Sequence, residues 1–139
     1  MGRVMAIDYG RKRVGLAVTD PMQMIANGLG TVHAKDVIEY LKGYFNKEHV
    51  DETVVGYPRQ LNNQPSEAVK FIEPFLKQFR KQFPDMPVRL VDERFTSKLA
   101  LQAMIDGGLK KKARKNKALV DSISATIILQ TYMEMKSNK

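Results

Sequence analysis

The chain has 139 residues, a formal net charge of +8 and no cysteine. This length predicts one domain over residues 1–139, large enough to bury a single core. The lack of cysteine excludes a disulfide framework and a thiolate zinc site, and fits a reducing cytoplasm. No run approaches the ~20 apolar residues of a membrane span, and we expect no signal peptide because the sequence enters a strand at once.

Apolar spacing along the chain predicts three opening strands, followed by an alternation of helices and strands. The predicted strands cover about residues 3–9, 14–19, 28–32, 53–56 and 87–93. The predicted helices cover about residues 36–45, 66–83, 96–106 and 118–135, with a kink or break expected at Pro74. This order predicts an α/β fold in which helices flank a five-stranded mixed sheet.

Positive charge is concentrated in one segment, which we call the basic loop (residues 110–117). It carries six cations and no acid: Lys110, Lys111, Lys112, Arg114, Lys115 and Lys117. Such a patch suits a polyanion, and nucleic acid is the partner that we expect. A membrane surface fits less well, because the segment has too few apolar residues for an amphipathic anchor. The alternative is a solvated loop whose charge serves solubility.

Three acidic positions stand where an α/β sheet gathers its sites. Asp8 ends the first strand, the Asp92–Glu93 pair ends the last strand, and Asp121 lies near the start of the last helix. If the first and last strands are parallel and adjacent, their carboxylates meet at one edge, and the last helix could add Asp121. Converging carboxylates require a cation, and oxygen ligands favour Mg²⁺ or Mn²⁺. One or two such ions would support phosphodiester hydrolysis by activating water.

Each of these acids also has a structural interpretation when it is taken alone. Asp8 could cap the hairpin turn, and Asp121 could interact with the helix dipole. Asp92 or Glu93 could pair with Arg94, and strand alternation lets one of the two face the site easily. It is the set, together with the basic loop directly before Asp121, that favours a nuclease.

Two tyrosines and two histidines are further candidates for site residues. Tyr9 and Tyr57 follow strands and could stack on a base, or could equally cover the edge of the core. His33 and His49 lack the spacing of metal ligands, so we interpret both as surface or packing residues.

Four segments together resemble the YqgF (RuvX) family, the Holliday-junction-resolvase-like nucleases of bacteria. They are residues 6–17, 54–58 (Val-Val-Gly-Tyr-Pro), 92–97 (Asp-Glu-Arg-Phe-Thr-Ser) and the closing helix with Val120–Asp121, Ala125 and Leu129–Gln130. The segments occur in the family's order and span nearly the whole chain. Two departures concern Asn63–Gln64, where the family commonly has Asp-Gly, and Ser124–Ala125, where it commonly has Ala-Ala.

The resemblance implies an RNase H-like fold and metal-dependent maturation of the 5′ end of pre-16S rRNA. It implies that Asp8, Glu93 and Asp121 are the catalytic residues and the ligands of Mg²⁺ or Mn²⁺. The residues that we expect to bind substrate are Gly10, Arg13, Arg94, Thr96, Lys110, Lys111, Lys112, Arg114 and Lys115. We expect a cytoplasmic monomer or weak homodimer that acts on structured RNA, with no membrane partner.

Three other functions remain as alternatives. The same fold could resolve four-way DNA junctions, which favours a two-fold dimer that makes paired cuts. The chain could instead be a nucleic-acid-binding ribosome-assembly factor without turnover, and the carboxylates would then be structural. The opening hairpin also resembles that of sugar kinases and actin-like ATPases, but those proteins need a second domain to close over the nucleotide.

Overall fold

The computed structural model describes residues 2–57, 69–92 and 117–137, and gives the backbone alone for residues 117–122 and 137. Its strands are β1 (Arg3–Tyr9), β2 (Arg13–Thr19), β3 (Ala26–His33), β4 (Val50–Tyr57) and β5 (Val88–Asp92). Its helices are α1 (Val37–Lys47), α2 (Val69–Gln82) and α3 (Lys117–Ser137), with a 3₁₀ turn at Ala34–Asp36 before α1. The predicted order of these elements is confirmed. The helix predicted over 96–106 lies outside the described residues.

The five strands form one mixed sheet, as the sequence predicts, and the structure gives their order as β3-β2-β1-β4-β5. The opening strands pair antiparallel, whereas β4 pairs parallel with β1 and with β5. The chain passes through β2, β3 and α1 between β1 and β4, and through α2 between β4 and β5. Strands β1 and β5 are therefore parallel but not adjacent, since β4 lies between them. The sequence predicts that Asp8 meets the acids of β5 if β1 and β5 are neighbours, and they are not neighbours.

Each face of the sheet has its own core, because neighbouring side chains of a strand point to opposite faces. On one face, which we call the α1/α2 face, Met5 and Ile7 pack with Leu41 and Phe79. On the other, the α3 face, smaller side chains of the sheet meet the closing helix: Val4, Ala6, Ala17 and Val54 against Ala125, Ile128 and Leu129. The alternation along β1 assigns Asp8 to the α3 face.

Helix α2 runs from Val69 to Gln82 with Pro74 inside it. Of the kink or break that the sequence predicts at Pro74, the break is therefore wrong and the kink stays a prediction. Proline removes one helical hydrogen bond and costs about 3 kcal/mol in a helix interior. Buried side chains on both sides of it, Ile72 and Phe79 among them, hold the helix on the sheet, and burial of each contributes roughly 1.5–3 kcal/mol. Among the described residues, no helix is long and apolar enough to cross a membrane.

Candidate active site

Asp8 lies where β1 reaches the edge of the sheet that its parallel strands share. We call this the carboxyl edge, formed by the ends of β1, β4 and β5 at Tyr9, Tyr57 and Asp92. Asp8 is half-buried and directly follows the fully buried Ile7. Ligand sites of α/β sheets gather outside this end of the strands. Asp8, the first predicted ligand, therefore lies at the end of the sheet where such sites gather, and its role as a ligand stays a prediction.

Glycines flank Asp8 on both neighbouring strands. Gly15 of β2 pairs directly with Asp8. The register that pairs Ile7 with Val55 continues to Gly56 of β4. Neither glycine carries a side chain over the α3 face, so this row of the sheet has one carboxylate with backbone on either side. Glycine in a strand often marks a place where a ligand or another backbone approaches the sheet closely.

Asp92 lies on the opposite face from Asp8. It pairs with Tyr57, whose ring packs against the core of the α1/α2 face. The preceding residue, Val91, belongs to the core of the α3 face. Of the two acids at the end of β5, Asp92 is therefore not the one that shares a face with Asp8. Glu93, the ligand that the sequence favours, lies outside the described residues.

Helix α3 runs antiparallel to β1 and β4 and brings its first turns to the carboxyl edge. Its far end is placed by the hydroxyl of Tyr132, which donates to Glu52 near the start of β4. From Tyr132 back to Asp121 the helix rises roughly 16 Å. From Glu52 to Gly56 the strand covers roughly 13 Å. By these lengths, the backbone of Asp121 reaches about as far along the sheet as the row of Asp8.

The hairpin turn after Asp8 requires glycine at position 10. The Gly10 N–H donates to the Arg13 carbonyl at 2.9 Å, and a Cβ at Gly10 would lie 2.6 Å from that oxygen. Arg13 begins β2 two residues before Gly15, so it shares the α3 face with Asp8. It is half-buried.

Several predicted site residues lie outside the described part of the chain. They are Glu93, Arg94, Thr96, Lys110, Lys111, Lys112, Arg114 and Lys115, and the side chains of Asp121 and Lys117 belong with them. Among the side chains that are described, no three histidines or acids gather as ligands of one ion. The ligand set therefore remains a prediction.

Tyr9 and Tyr57 occupy the edge of the core. The ring of Tyr9 stacks on Phe75 with 4.4 Å between centroids, and its burial raises the pKa of the Tyr9 phenol. The Tyr57 hydroxyl donates to Glu73 at 2.5 Å. Both rings pack on the α1/α2 face, away from Asp8. The structure thus favours core packing over base stacking for both.

His33 and His49 are exposed, as expected of surface residues. The Nδ1 atom of His33 accepts from the Lys35 N–H at 3.2 Å. The Nε2 atom of His49 lies 2.9 Å from Asp51 Oδ1.

A cluster around Glu52 was missed by the sequence analysis. The Glu52 side chain is 12% exposed. Its carboxylate accepts from the Tyr132 hydroxyl at 3.0 Å and from Lys136 Nζ at 2.8 Å, and Arg89 Nε lies 3.8 Å away. The hydrogen bond that Lys136 donates to Glu52 raises the pKa of Lys136. The pKa of Tyr132 is raised mainly by burial and, after that, by its own hydrogen bond to Glu52. The sequence contained one indication of this cluster, because Tyr132 and Lys136 are four residues apart and so lie on the same side of a helix.

Comparison with known proteins decides the family. The family model described as "RuvX: Holliday junction resolvase" matches residues 2–135. This chain belongs to the RuvX family. Relatives carry the name "Putative pre-16S rRNA nuclease". The one from Phocaeicola vulgatus is 60% identical over 136 residues, covering 98% of both chains. The one from Bacteroides thetaiotaomicron is 57% identical, covering 98% of this chain and 99% of its own.

Solved structures give the same fold for this RuvX family member. Thermus thermophilus RuvC in complex with a Holliday junction substrate has a TM-score of 0.59 at 18% identity, covering 97% of this chain and 96% of that chain. A second RuvC structure from this organism has a TM-score of 0.55 at 19% identity, covering 96% of both chains. The predicted RNase H-like fold is confirmed, and the chain belongs to a family of nucleases.

Proposed function

We propose that this RuvX family member is a metal-dependent endonuclease that matures the 5′ end of pre-16S rRNA. The observation that carries the proposal is Asp8 at the carboxyl edge, opposite Gly15 of β2 and beside the end of β4, with α3 running from Tyr132 back toward that edge. The names of relatives up to 60% identical supply the substrate. The proposal includes a cytoplasmic location, since rRNA precursors are its substrate, and a single domain over residues 1–139.

The ligands in this proposal are Asp8, Glu93 and Asp121. Strand alternation favours Glu93 over Asp92, because Asp92 lies on the face opposite Asp8. Helical spacing favours Asp121, because it precedes the buried Ala125 by four residues. Carboxylate oxygens suit one or two Mg²⁺ or Mn²⁺ ions. When bound, such ions would activate water for in-line attack and stabilise the leaving oxygen.

Basic residues hold the RNA backbone in this proposal. Arg13 lies two positions before Gly15, the residue that pairs with Asp8, and so shares the face of Asp8. In this proposal Arg13 orients a phosphate beside Asp8. Arg94, Thr96 and the basic loop would extend the contact along the strand. Gly10 contributes through the turn that sets where β2 begins. The partner is structured RNA, and the protein is a monomer or weak homodimer.

A second candidate is the resolution of four-way DNA junctions. The description of the RuvX family model favours it, as does the likeness in fold to RuvC solved with a junction. A phosphate-binding surface does not by itself distinguish RNA from DNA. The choice between the two substrates therefore belongs to the experiment.

The test offers both substrates to the same enzyme. A labelled RNA with the 5′ leader of the small-subunit rRNA and a four-way DNA junction are incubated with Mn²⁺, Mg²⁺ or EDTA. The wild type is compared with Asp8→Asn and with the matched control Asp92→Asn, which alters an acid on the opposite face. We expect metal-dependent RNA cleavage by the wild type and the control and none by Asp8→Asn. Cleavage of the junction alone would change the substrate. Binding without cleavage would favour the assembly factor.

A further inference from the structure

Glu52 joins β4 to the far end of α3 through directional contacts. Its two carboxylate oxygens each lie 3.0 Å from the Tyr132 hydroxyl, and Lys136 Nζ bonds Oε1 at 2.8 Å. Tyr132 and Lys136 are both on α3, one turn apart, so one carboxylate holds two successive turns of the helix. The carboxylate itself is held by the strand, where Glu52 precedes the fully buried Thr53.

The apolar contacts of α3 are of a different kind. Ala125, Ile128 and Leu129 pack on small aliphatic side chains such as Ala6 and Ala17. Such burial is strong but non-directional, and it changes little when a helix slides by a fraction of a turn. Hydrogen bonds weaken steeply with distance and angle. The contacts to Glu52 therefore define the position of α3 along the sheet more sharply than these apolar contacts do.

The position of α3 matters most at its opposite end. A displacement by one residue moves every α3 residue 1.5 Å along the axis and turns it by 100°. Metal–ligand distances tolerate about 0.2 Å. A helix that carries a ligand in its first turns thus needs an anchor elsewhere along its length, and Glu52 contacts it eleven residues after Asp121.

We propose that Glu52 is a positioning residue for the metal site: through Tyr132 and Lys136 it sets where α3 places Asp121 relative to Asp8. This inference rests on the proposed function, in which Asp121 is a ligand. Glu52 lies at the other end of the sheet, where its partners are Tyr132, Lys136 and Arg89. Its effect on the reaction passes through the helix.

The experiment measures Mn²⁺ affinity by calorimetry on the full chain, together with kcat and KM for RNA cleavage. The variant Glu52→Gln keeps an acceptor for Tyr132 and loses the charge that holds Lys136. The matched control is Glu48→Gln, which removes another half-buried ion pair, Arg3–Glu48 at 3.4 Å, that does not involve α3. Lys136→Met, which keeps the aliphatic stem, tests the same contact from the helix side. Circular dichroism sets the temperature at which all variants are folded.

We expect Glu52→Gln and Lys136→Met to raise the Kd for Mn²⁺ about 2- to 30-fold, the range of energetic coupling between distant sites. The kcat should fall with little change in KM, and Glu48→Gln should match the wild type in both. A lower Tm with Kd and kcat unchanged in Glu52→Gln and Lys136→Met would overturn the inference and leave Glu52 a stabilising residue. If the wild type itself binds no Mn²⁺ and cuts no RNA, the proposed function fails and this inference falls with it.

Discussion

The acidic side chains at the two ends of the sheet differ in their surroundings. At the amino edge, where β1 and β4 begin and β2 ends, acids are built into the scaffold. Asp51 accepts from the Gly2 N–H at 2.8 Å, and Asp20 accepts from the Met24 and Ile25 N–H groups at 2.8 Å each. Glu52 receives a phenol and an ammonium. Hydrogen-bond donors supplied by the chain satisfy these carboxylates, so they fix loops and a helix in place.

At the carboxyl edge, the strand residue that pairs with Asp8 is a glycine, which has no side chain. Gly15 lies opposite Asp8 on one neighbouring strand, and Gly56 takes the equivalent place on the other. The acids of the amino edge are bonded within loops and across to α3, whereas the strand residue opposite Asp8 is a glycine that adds no side chain beside it. Under the proposed function, the acids at one edge stabilise the fold and Asp8 at the other edge takes part in the chemistry. The following substitutions test that division.

The largest expected effect is that of Asp8→Asn on cleavage. Loss of a metal ligand removes several kcal/mol of transition-state stabilisation, so the rate should fall about 10³-fold or more. The Tm should stay within a few degrees of the wild type, since the amide fills the same space. Single-turnover cleavage and circular dichroism measure the two quantities. If Asp8→Asn lowered the Tm strongly but left the cleavage rate per folded molecule unchanged, Asp8 would be a stabilising residue and not a catalytic one.

A smaller effect is expected when a side chain is added beside Asp8. Gly15→Ala places a methyl group in the row of the carboxylate, and displacement of a reacting group there should lower kcat about 10- to 100-fold. Gly43→Ala is the control, because a Cβ at Gly43 meets nothing within 4 Å and the residue lies within α1. That control should retain activity and gain about 0.5–1 kcal/mol of stability. Full activity of Gly15→Ala would show that the glycine row has no role in the site.

At the amino edge, removal of one donor should reduce stability. Tyr132→Phe deletes the hydroxyl that Glu52 accepts, and the free energy of unfolding should fall by about 1 kcal/mol. Urea denaturation at neutral pH measures it. The exposed Met135 of the same helix provides a control as Met135→Leu, which should leave the unfolding midpoint unchanged. Equal midpoints for Tyr132→Phe and the wild type would remove this bond from the stabilising contacts.

The smallest effect concerns pH. Backbone hydrogen bonds, from Ile25 to Asp20 and from Gly2 to Asp51, hold the pKa of each carboxyl below its usual value of 3.8. Because the folded pKa is lowered, the stability from these acids is present above pH 3.8 and is lost as the pH falls below it. Asp20→Asn should therefore weaken the acid dependence of the urea midpoint between pH 5 and 2. An unchanged acid slope would contradict the assignment.

Strand and helix patterns of the sequence predicted the order of the described elements and the five-stranded mixed sheet. The apolar alternation around Asp8 and the run before Asp92 are local signals, which period-2 and period-3.6 spacing reveal directly. Pro74 left a kink or a break open, and the helix continues through it because the local cost of proline is outweighed by contacts with the sheet that a local pattern does not contain. The longer extent of β3 and β4 likewise comes from their neighbours, which supply the ladder partners.

The sequence by itself determined the family, the fold class and the position of Asp8 at the end of a strand, since these depend on short-range order and on motif residues. The tertiary structure decided which residues share a face. It inserted β4 between β1 and β5, assigned Asp92 to the face opposite Asp8, and joined Glu52 to Tyr132 across 80 positions of the chain. Strand register and helix direction set these relations. Both depend on contacts between residues far apart in sequence, which no local pattern contains.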